Sequence, residues 1–194
     1  MLTTMKLSII LSKITLVAVT LLAFSSCSKK EDSTPNNIMA YRHDNSQAQS
    51  LEITSVNSDM TLEDRVNGVD YVVSSNIQVN ANLTIKPGVT VMFKDGAGIT
   101  VNQNGSLTAI GSTGNVILFT SESGKRGSWK GISILSSSAK NILSFCKIEQ
   151  AGAANTNGSA DILVGSANTT AEVQINNCEI TTSAADGILL SQGS

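Results

Sequence analysis

The residues of this chain best suited to binding chemistry lie within residues 121–130. This segment carries three cations and the only tryptophan: Lys125, Arg126, Trp129 and Lys130. An indole beside a guanidinium suits an acidic sugar, because apolar stacking and charge-assisted hydrogen bonds act on one ligand. In the alternative interpretation, which a single isolated aromatic favours, Trp129 packs against the flank of the fold and the lysines are solvated.

Two pairs of acidic residues recur beside similar stretches of sequence. Asp161 and Asp186 each stand just ahead of an Ile-Leu strand, whereas Glu149 and Glu179 adjoin two cysteine motifs. Aspartates at strand corners commonly hydrogen-bond their own turn, which is the interpretation favoured for the first pair. Stacked glutamates repel each other unless a cation lies between them, so a weak calcium site is an alternative for the second pair.

The sequence offers no residue set suited to catalysis. Carboxylate chemistry on sugars needs two or three acids within a few ångströms, and the pair of Asp161 and Asp186 has no third acid or basic residue at a matching position. There is no Ser/His/Asp set, Cys-x-x-Cys pair or Gly-rich phosphate loop, and the only histidine, His43, lies in a polar stretch where it is expected to be solvated. The prediction is no catalytic residue, no metal site and no cofactor.

Cys146 and Cys178 belong to similar motifs, Cys-Lys-Ile and Cys-Glu-Ile. Their 32-residue spacing equals one structural repeat lengthened by a loop at residues 151–158, so they are expected on adjacent turns of the fold. Stacked side chains could form a disulfide there, and export would permit one. A free cysteine is also a good small core residue, so both states are consistent with the sequence.

These candidate residues are positioned by a repeat of 26 residues. Phe93, Phe119 and Phe145 end three similar apolar stretches at that spacing. A fixed period in this range predicts a solenoid, in which each unit buries its apolar face against its neighbours. Further stretches recur at the same offset, in the pairs Gly105 and Gly131, and Asp161 and Gly187.

Apolar residues alternate within each repeat, which is the period of a β-strand. The repeats are rich in Val, Ile, Thr, Ser, Asn and Gly, which suit strands and their corners. The pattern predicts an all-β fold, a parallel β-helix in which like residues of successive coils stack about 4.8 Å apart. Two ladders are predicted, one of Phe93, Phe119 and Phe145, and one of Val91, Ile117 and Leu143.

The β-helix is expected to occupy residues 51–194, with an entry segment over 51–69 and about five coils of 26 residues over 70–194. Short strands open it and lead to a tight turn at Pro87 and Gly88, where proline presets φ and glycine accepts the positive φ that follows. No capping helix or charged edge ends the sequence. The C-terminal end is therefore predicted to be uncapped, so that the chain is either the front of a longer protein or completed by a partner.

Residues 83–93, 105–111 and 129–134 resemble the opening coils of right-handed parallel β-helix proteins of the pectate-lyase-like kind. The resemblance covers about residues 65–194, and it implies the right hand of the coil. It concerns the fold far more than an activity.

The N-terminus resembles a bacterial lipoprotein signal. Lys6 and Lys13 precede an apolar run over residues 14–24 that is too short to span a bilayer comfortably, and small residues lead directly into Cys27. The resemblance implies that residues 1–26 are removed and that acylated Cys27 holds the protein on a membrane. An ordinary cleavable signal with an incidental cysteine is the alternative.

Residues 27–50 are predicted to form a flexible tether, because such polar segments cannot bury enough surface to fold. The charged tract over residues 28–37 resembles the export tag of Bacteroidota surface lipoproteins. That resemblance implies an outer-membrane protein facing the cell exterior. A plain solvated tether is the alternative.

The charge balance excludes nucleic acid as a partner. The chain has 13 Lys+Arg against 15 Asp+Glu, and loss of the two signal lysines makes the formal charge −4. Two function classes follow. The preferred one is a non-catalytic surface lipoprotein whose β-helix is a rigid spacer, adhesive or glycan-contacting surface. The other is the front of a polysaccharide lyase or hydrolase whose active coils lie beyond Ser194.

Overall fold

The computed structural model describes residues 49–65, 67–155 and 158–191. The predictions for the signal peptide, Cys27, His43 and all but the last two residues of the tether lie outside these residues. Over the described ranges, no helix is both long and apolar enough to cross a membrane. The strands are β1 (Leu51–Glu52), β2 (Met60–Leu62), β3 (Tyr71–Val73), β4 (Asn76–Val79), β5 (Asn82–Ile85), β6 (Thr90–Phe93), β7 (Gly98–Val101), β8 (Ser106–Ile110), β9 (Ile117–Ser121), β10 (Ile132–Ile134), β11 (Ile142–Ser144), β12 (Cys146–Glu149), β13 (Ala160–Val164), β14 (Gln174–Asn176), β15 (Glu179–Thr181) and β16 (Asp186–Leu190).

The strands form three parallel sheets. Sheet A has the order β1-β3-β6-β9-β12-β15, sheet B the order β16-β13-β10-β7-β4, and sheet C the order β14-β11-β8-β5-β2. From β3 onward the chain visits sheets A, B and C in turn, and each complete circuit is here called a coil. The prediction of an all-β fold with parallel strands is confirmed, and the arrangement is consistent with a parallel β-solenoid.

Alternation decides which side chains fill the interior. In sheet B, one column of register partners runs through five strands and carries isoleucine at every level: Ile77, Ile99, Ile132, Ile162 and Ile188. All but the last are buried, and Ile188 is 45% exposed because no described strand lies beyond β16. Successive side chains of a strand point to opposite faces, so these positions build a continuous apolar core.

The fixed 26-residue step is wrong for sheet A. Its column of register partners has steps of 20, 28, 29 and 32 residues, through Tyr71, Val91, Phe119, Ile148 and Ile180. The chain returns to the same sheet after each coil, but the corners between strands differ in length. A fixed repeat in the sequence therefore predicts which residues pair only where the corners between strands have a constant length.

Both predicted ladders are therefore wrong. Phe119 pairs with Val91 and Ile148, whereas Phe145 lies between strands, half-buried, with a φ of 49°. Phe93 and Phe119 are still near each other, with ring centroids 6.4 Å apart. In the aliphatic set, Ile117 pairs with Cys146, and Leu143 lies in sheet C opposite Ala109.

The other two repeats have different outcomes. The stretches after Gly105 and Gly131 fall in different sheets, because β8 belongs to sheet C and β10 to sheet B. In contrast, Ile162 pairs with Ile188 at the predicted offset of 26. The predicted turn after β5 is also confirmed, since Gly88 has a φ of 88° and Val89 N–H bonds to the Lys86 carbonyl at 3.4 Å.

A buried asparagine holds the corner between sheets B and C. Asn141 is 1% exposed. Its Oδ1 accepts a hydrogen bond from Leu107 N–H at 3.0 Å, and its Nδ2 donates to the carbonyls of Ser136 at 2.9 Å and Glu172 at 3.0 Å. One side chain thus satisfies three backbone groups from three successive coils, and its bonds to Leu107 and Ser136 are buried.

We expect Asn141→Ala to destabilise the protein by roughly 3 kcal/mol, because it leaves those three backbone groups without a partner. The measurement is urea unfolding followed by circular dichroism, and the matched control is Asn115→Ala at an exposed position. Equal unfolding midpoints for the two variants would contradict this role.

Candidate functional site

The cationic loop predicted to bind a ligand follows β9. Gly124 N–H bonds to Ser121 Oγ at 2.8 Å, and Gly124 and Gly127 have positive φ values, so the chain folds back tightly. Lys125 is exposed and Lys130 is half-buried. The loop is therefore an ordered excursion from the coil, with its lysines at or near the surface.

Trp129 lies in the interior. It is 0% exposed, its ring stacks on Phe93 at a centroid distance of 3.9 Å, and its Nε1 donates to the Glu149 carbonyl at 2.9 Å. The indole thus fills core volume and satisfies its polar atom within the fold. It presents no face to a ligand.

Arg126 connects the loop to the last described coil. Its Nε donates to the Ser183 carbonyl at 3.0 Å, and its Nη2 bonds to the same oxygen. This guanidinium and the Trp129 ring are both used within the protein, so the structure does not assemble the pair that a sugar would need.

The two acidic pairs do not stack. In sheet B, Asp186 pairs with Ala160 rather than with Asp161, which puts the two aspartates on opposite faces. In sheet A, Glu179 pairs with Lys147, whose Nζ lies 3.0 Å from Glu149 Oε2 and 3.7 Å from Glu179 Oε1. Lys147 thus occupies the place of the cation between the glutamates.

Glu149 is held as a carboxylate by its neighbours. Partial burial opposes its ionisation, but hydrogen bonds from Thr120 and Lys147 outweigh this effect and lower the pKa of Glu149. The residues described in the structure contain no group of three or more His, Cys, Asp or Glu side chains that could hold a metal ion.

Asp161 is the most unusual acidic residue of the described chain. It is 0% exposed, and neither carboxylate oxygen has a hydrogen-bond partner. Burial raises the pKa of Asp161 to about 6. The sequence pattern places Asp161 at a turn. Loops cover the outer face of sheet B, and the alternation of apolar and polar residues in a strand does not reveal such a cover.

Cys146 and Cys178 are both free in the structure. The predicted 32-residue step is confirmed, because Lys147 pairs with Glu179 and each cysteine immediately precedes one of these residues. Cys146 is 1% exposed and Cys178 is half-buried. The two thiols are therefore neighbours on adjacent coils.

A polar cleft lies at the corner where the chain passes from sheet B to sheet C. It consists of two adjoining cavities of about 400 and 260 Å³, and its lining contains amides, hydroxyls and one leucine but no charged side chain. We call it the corner cleft. The larger cavity is lined by Asn80, Asn102, Gln103, Asn104, Leu135 and Thr169, and the smaller by Gln103, Leu135, Ser137, Asn168, Thr169 and Thr170.

A ladder of asparagines orders one wall of the corner cleft. Asn80 Nδ2 donates to Asn57 Oδ1 at 2.8 Å, and Asn102 Nδ2 donates to Asn80 Oδ1 at 2.7 Å. Sequence reasoning assigned such polar stretches to turns and corners. The spacing of these three asparagines, close to one coil each, was the signal that could have revealed a common surface.

Another cavity, of about 300 Å³, lies at the first strands between β1, β2 and β3.

Comparisons with protein-family models, with curated proteins and with solved structures give no match. The candidate site therefore depends on its geometry alone.

We expect the free energy of unfolding to fall by up to about 3 kcal/mol between about pH 4 and pH 7, through Asp161. Its folded pKa lies above the ordinary value of 3.8, so the folded state binds the proton more tightly, and this stabilisation is lost as the pH rises through about 6. Asp161→Asn should remove this component, as measured by urea unfolding across the pH range.

The matched control is Asp186→Asn, on the next strand and exposed. If Asp161→Asn and Asp186→Asn leave the same pH dependence as the unchanged chain, the buried carboxylate does not carry the effect.

Proposed function

We propose that this protein is an outer-membrane lipoprotein, acylated at Cys27 and facing the cell exterior, whose residues 51–194 form a non-catalytic glycan-contacting module. In this proposal the module is a right-handed parallel β-helix of the pectate-lyase-like type, with about five coils and an uncapped C-terminal end. The corner cleft is the observation that carries the binding function.

The lining of the corner cleft favours a neutral glycan. Amides and hydroxyls such as those of Gln103 and Thr170 both donate and accept hydrogen bonds, as sugar hydroxyls do. Leu135 supplies an apolar surface for the C–H face of a sugar ring. An acidic glycan would find no cation in this lining.

The stiffness of the coil supports binding without movement of the backbone. The asparagine ladder fixes the Asn80 and Asn102 amides through bonds of 2.8 and 2.7 Å. A preordered surface loses less conformational entropy when a ligand binds. The same stiffness suits a spacer that holds the binding surface away from the membrane.

We expect the double variant Gln103→Ala/Thr170→Ala to bind neutral glycans about 5- to 30-fold more weakly, because each lost hydrogen bond contributes about 1 kcal/mol. The measurement is a glycan array followed by titration of the best neutral ligand. The matched control is Gln174→Ala, which removes an exposed amide outside the lining.

Other outcomes would redirect the proposal. Unchanged binding in the double variant, together with loss of binding in Lys125→Ala/Lys130→Ala, would move the site to the cationic loop and favour acidic glycans. Shortened or unsaturated sugar products would overturn the non-catalytic function and favour the polysaccharide lyase or hydrolase.

We expect Cys27→Ala to move the protein from the membrane fraction to the soluble fraction, because the acylated thiol is the proposed anchor. Cell fractionation and the mass of the N-terminal peptide measure this, with Ser26→Ala as the adjacent control. Protease treatment of intact cells tests the external face. A Cys27→Ala protein that stays in the membrane fraction would exclude this anchor.

A further inference from the structure

The thiols of Cys146 and Cys178 occupy equivalent places one coil apart. Cys146 Sγ lies 3.5 Å from the carbonyls of Ala109 and Ser144, and Cys178 Sγ lies 3.4 Å from the carbonyl of Leu143 and 3.3 Å from that of Asn176. The register pairs these carbonyl residues one to one, Ala109 with Leu143 and Ser144 with Asn176. The two sulfurs are therefore related by one step between adjacent strands, about 4.8 Å.

The two thiols are not bonded to each other. A disulfide would need the sulfurs about 2.0 Å apart and the Cβ atoms about 3.8 Å apart. The strand pairing of β12 with β15 begins one residue after the cysteines, at Lys147 and Glu179, and keeps the two coils one strand step apart.

The corners on either side of the thiols reinforce the spacing. Phe145 and Asn177 have φ values of 49° and 51° just before the two cysteines. Gln150 and Thr182 have φ values of 64° and 54° just after the strands. Left-handed corners thus flank equivalent strands in two adjacent coils. A shift of one strand along the other would move these corners out of alignment.

We propose that Cys146 and Cys178 form a two-sulfur site for a soft monovalent metal ion, Cu(I) or its analogue Ag(I). Two metal–sulfur bonds of about 2.3 Å, the length found for thiolate–zinc bonds, span about 4.6 Å in line, which matches the step between the coils. Soft sulfur ligands select Cu(I). This site is additional to the glycan-contacting function and does not depend on it.

Both thiols give their protons to solvent as they bond to the ion, because the metal ligand is the thiolate. Two thiolates and one monovalent cation leave one negative charge, shared between Cys146 and the half-buried Cys178. The ion enters from the side of Cys178, because Cys146 is only 1% exposed.

The test uses the full chain with Cys27→Ala, so that Cys146 and Cys178 are the only thiols. Ag(I), which needs no reductant, is titrated calorimetrically at about pH 5, with thermal unfolding measured alongside. We expect one ion and about two released protons per chain, and a raised unfolding temperature. Adding Cys178→Ala should weaken binding by more than the roughly 10- to 100-fold lost with an outer-shell partner.

Several results would overturn the site. These are no saturable binding, two ions per chain, or equal affinity with and without Cys178→Ala. If that variant unfolds, Cys178→Ser, which keeps the size but lacks the soft ligand, makes the same comparison. A purified chain whose mass is lower by two hydrogens would instead identify a disulfide between these cysteines.

Discussion

The structure depends on backbone hydrogen bonds that join each strand to the equivalent strand of the next coil. Because all pairs between the named strands are parallel, a residue in one coil has its register partner directly above it, and the side chains of both point to the same face. The isoleucine column of sheet B is one result. The asparagine ladder of the corner cleft is another, since amides one coil apart bond to each other.

The corners between the strands vary in length, and the departures from regular stacking arise there. The loop after β9 is long enough to return Trp129 into the core, where it stacks on Phe93. The segment before β13 helps to enclose the outer side of sheet B, because Asn155 Nδ2 reaches Ser133 Oγ at 3.2 Å. Under such a cover an outward-facing Asp161 becomes buried without a partner.

The same register also brings together side chains of opposite charge and side chains of the same type, and no separate loop is needed for this. Lys147 meets Glu179 across the coils and Glu149 along its own strand, which neutralises an acidic pair. Cys146 and Cys178 lie one step apart along the axis, each directly before a residue of the Lys147–Glu179 register pair. A solenoid therefore creates sites by stacking, and a side chain acquires its neighbours from residues about one coil away in the sequence.

The sequence by itself determined several strands and one tight turn. Alternation of apolar residues located β3, β4 and β5, and proline followed by glycine located the turn at Gly88, because these are local effects of backbone geometry. It also predicted parallel stacking. Only the tertiary structure decided the register, and with it the partners of Phe119, Asp161 and Trp129. Corner lengths set the register, and a corner has no period that a sequence comparison within the chain can detect.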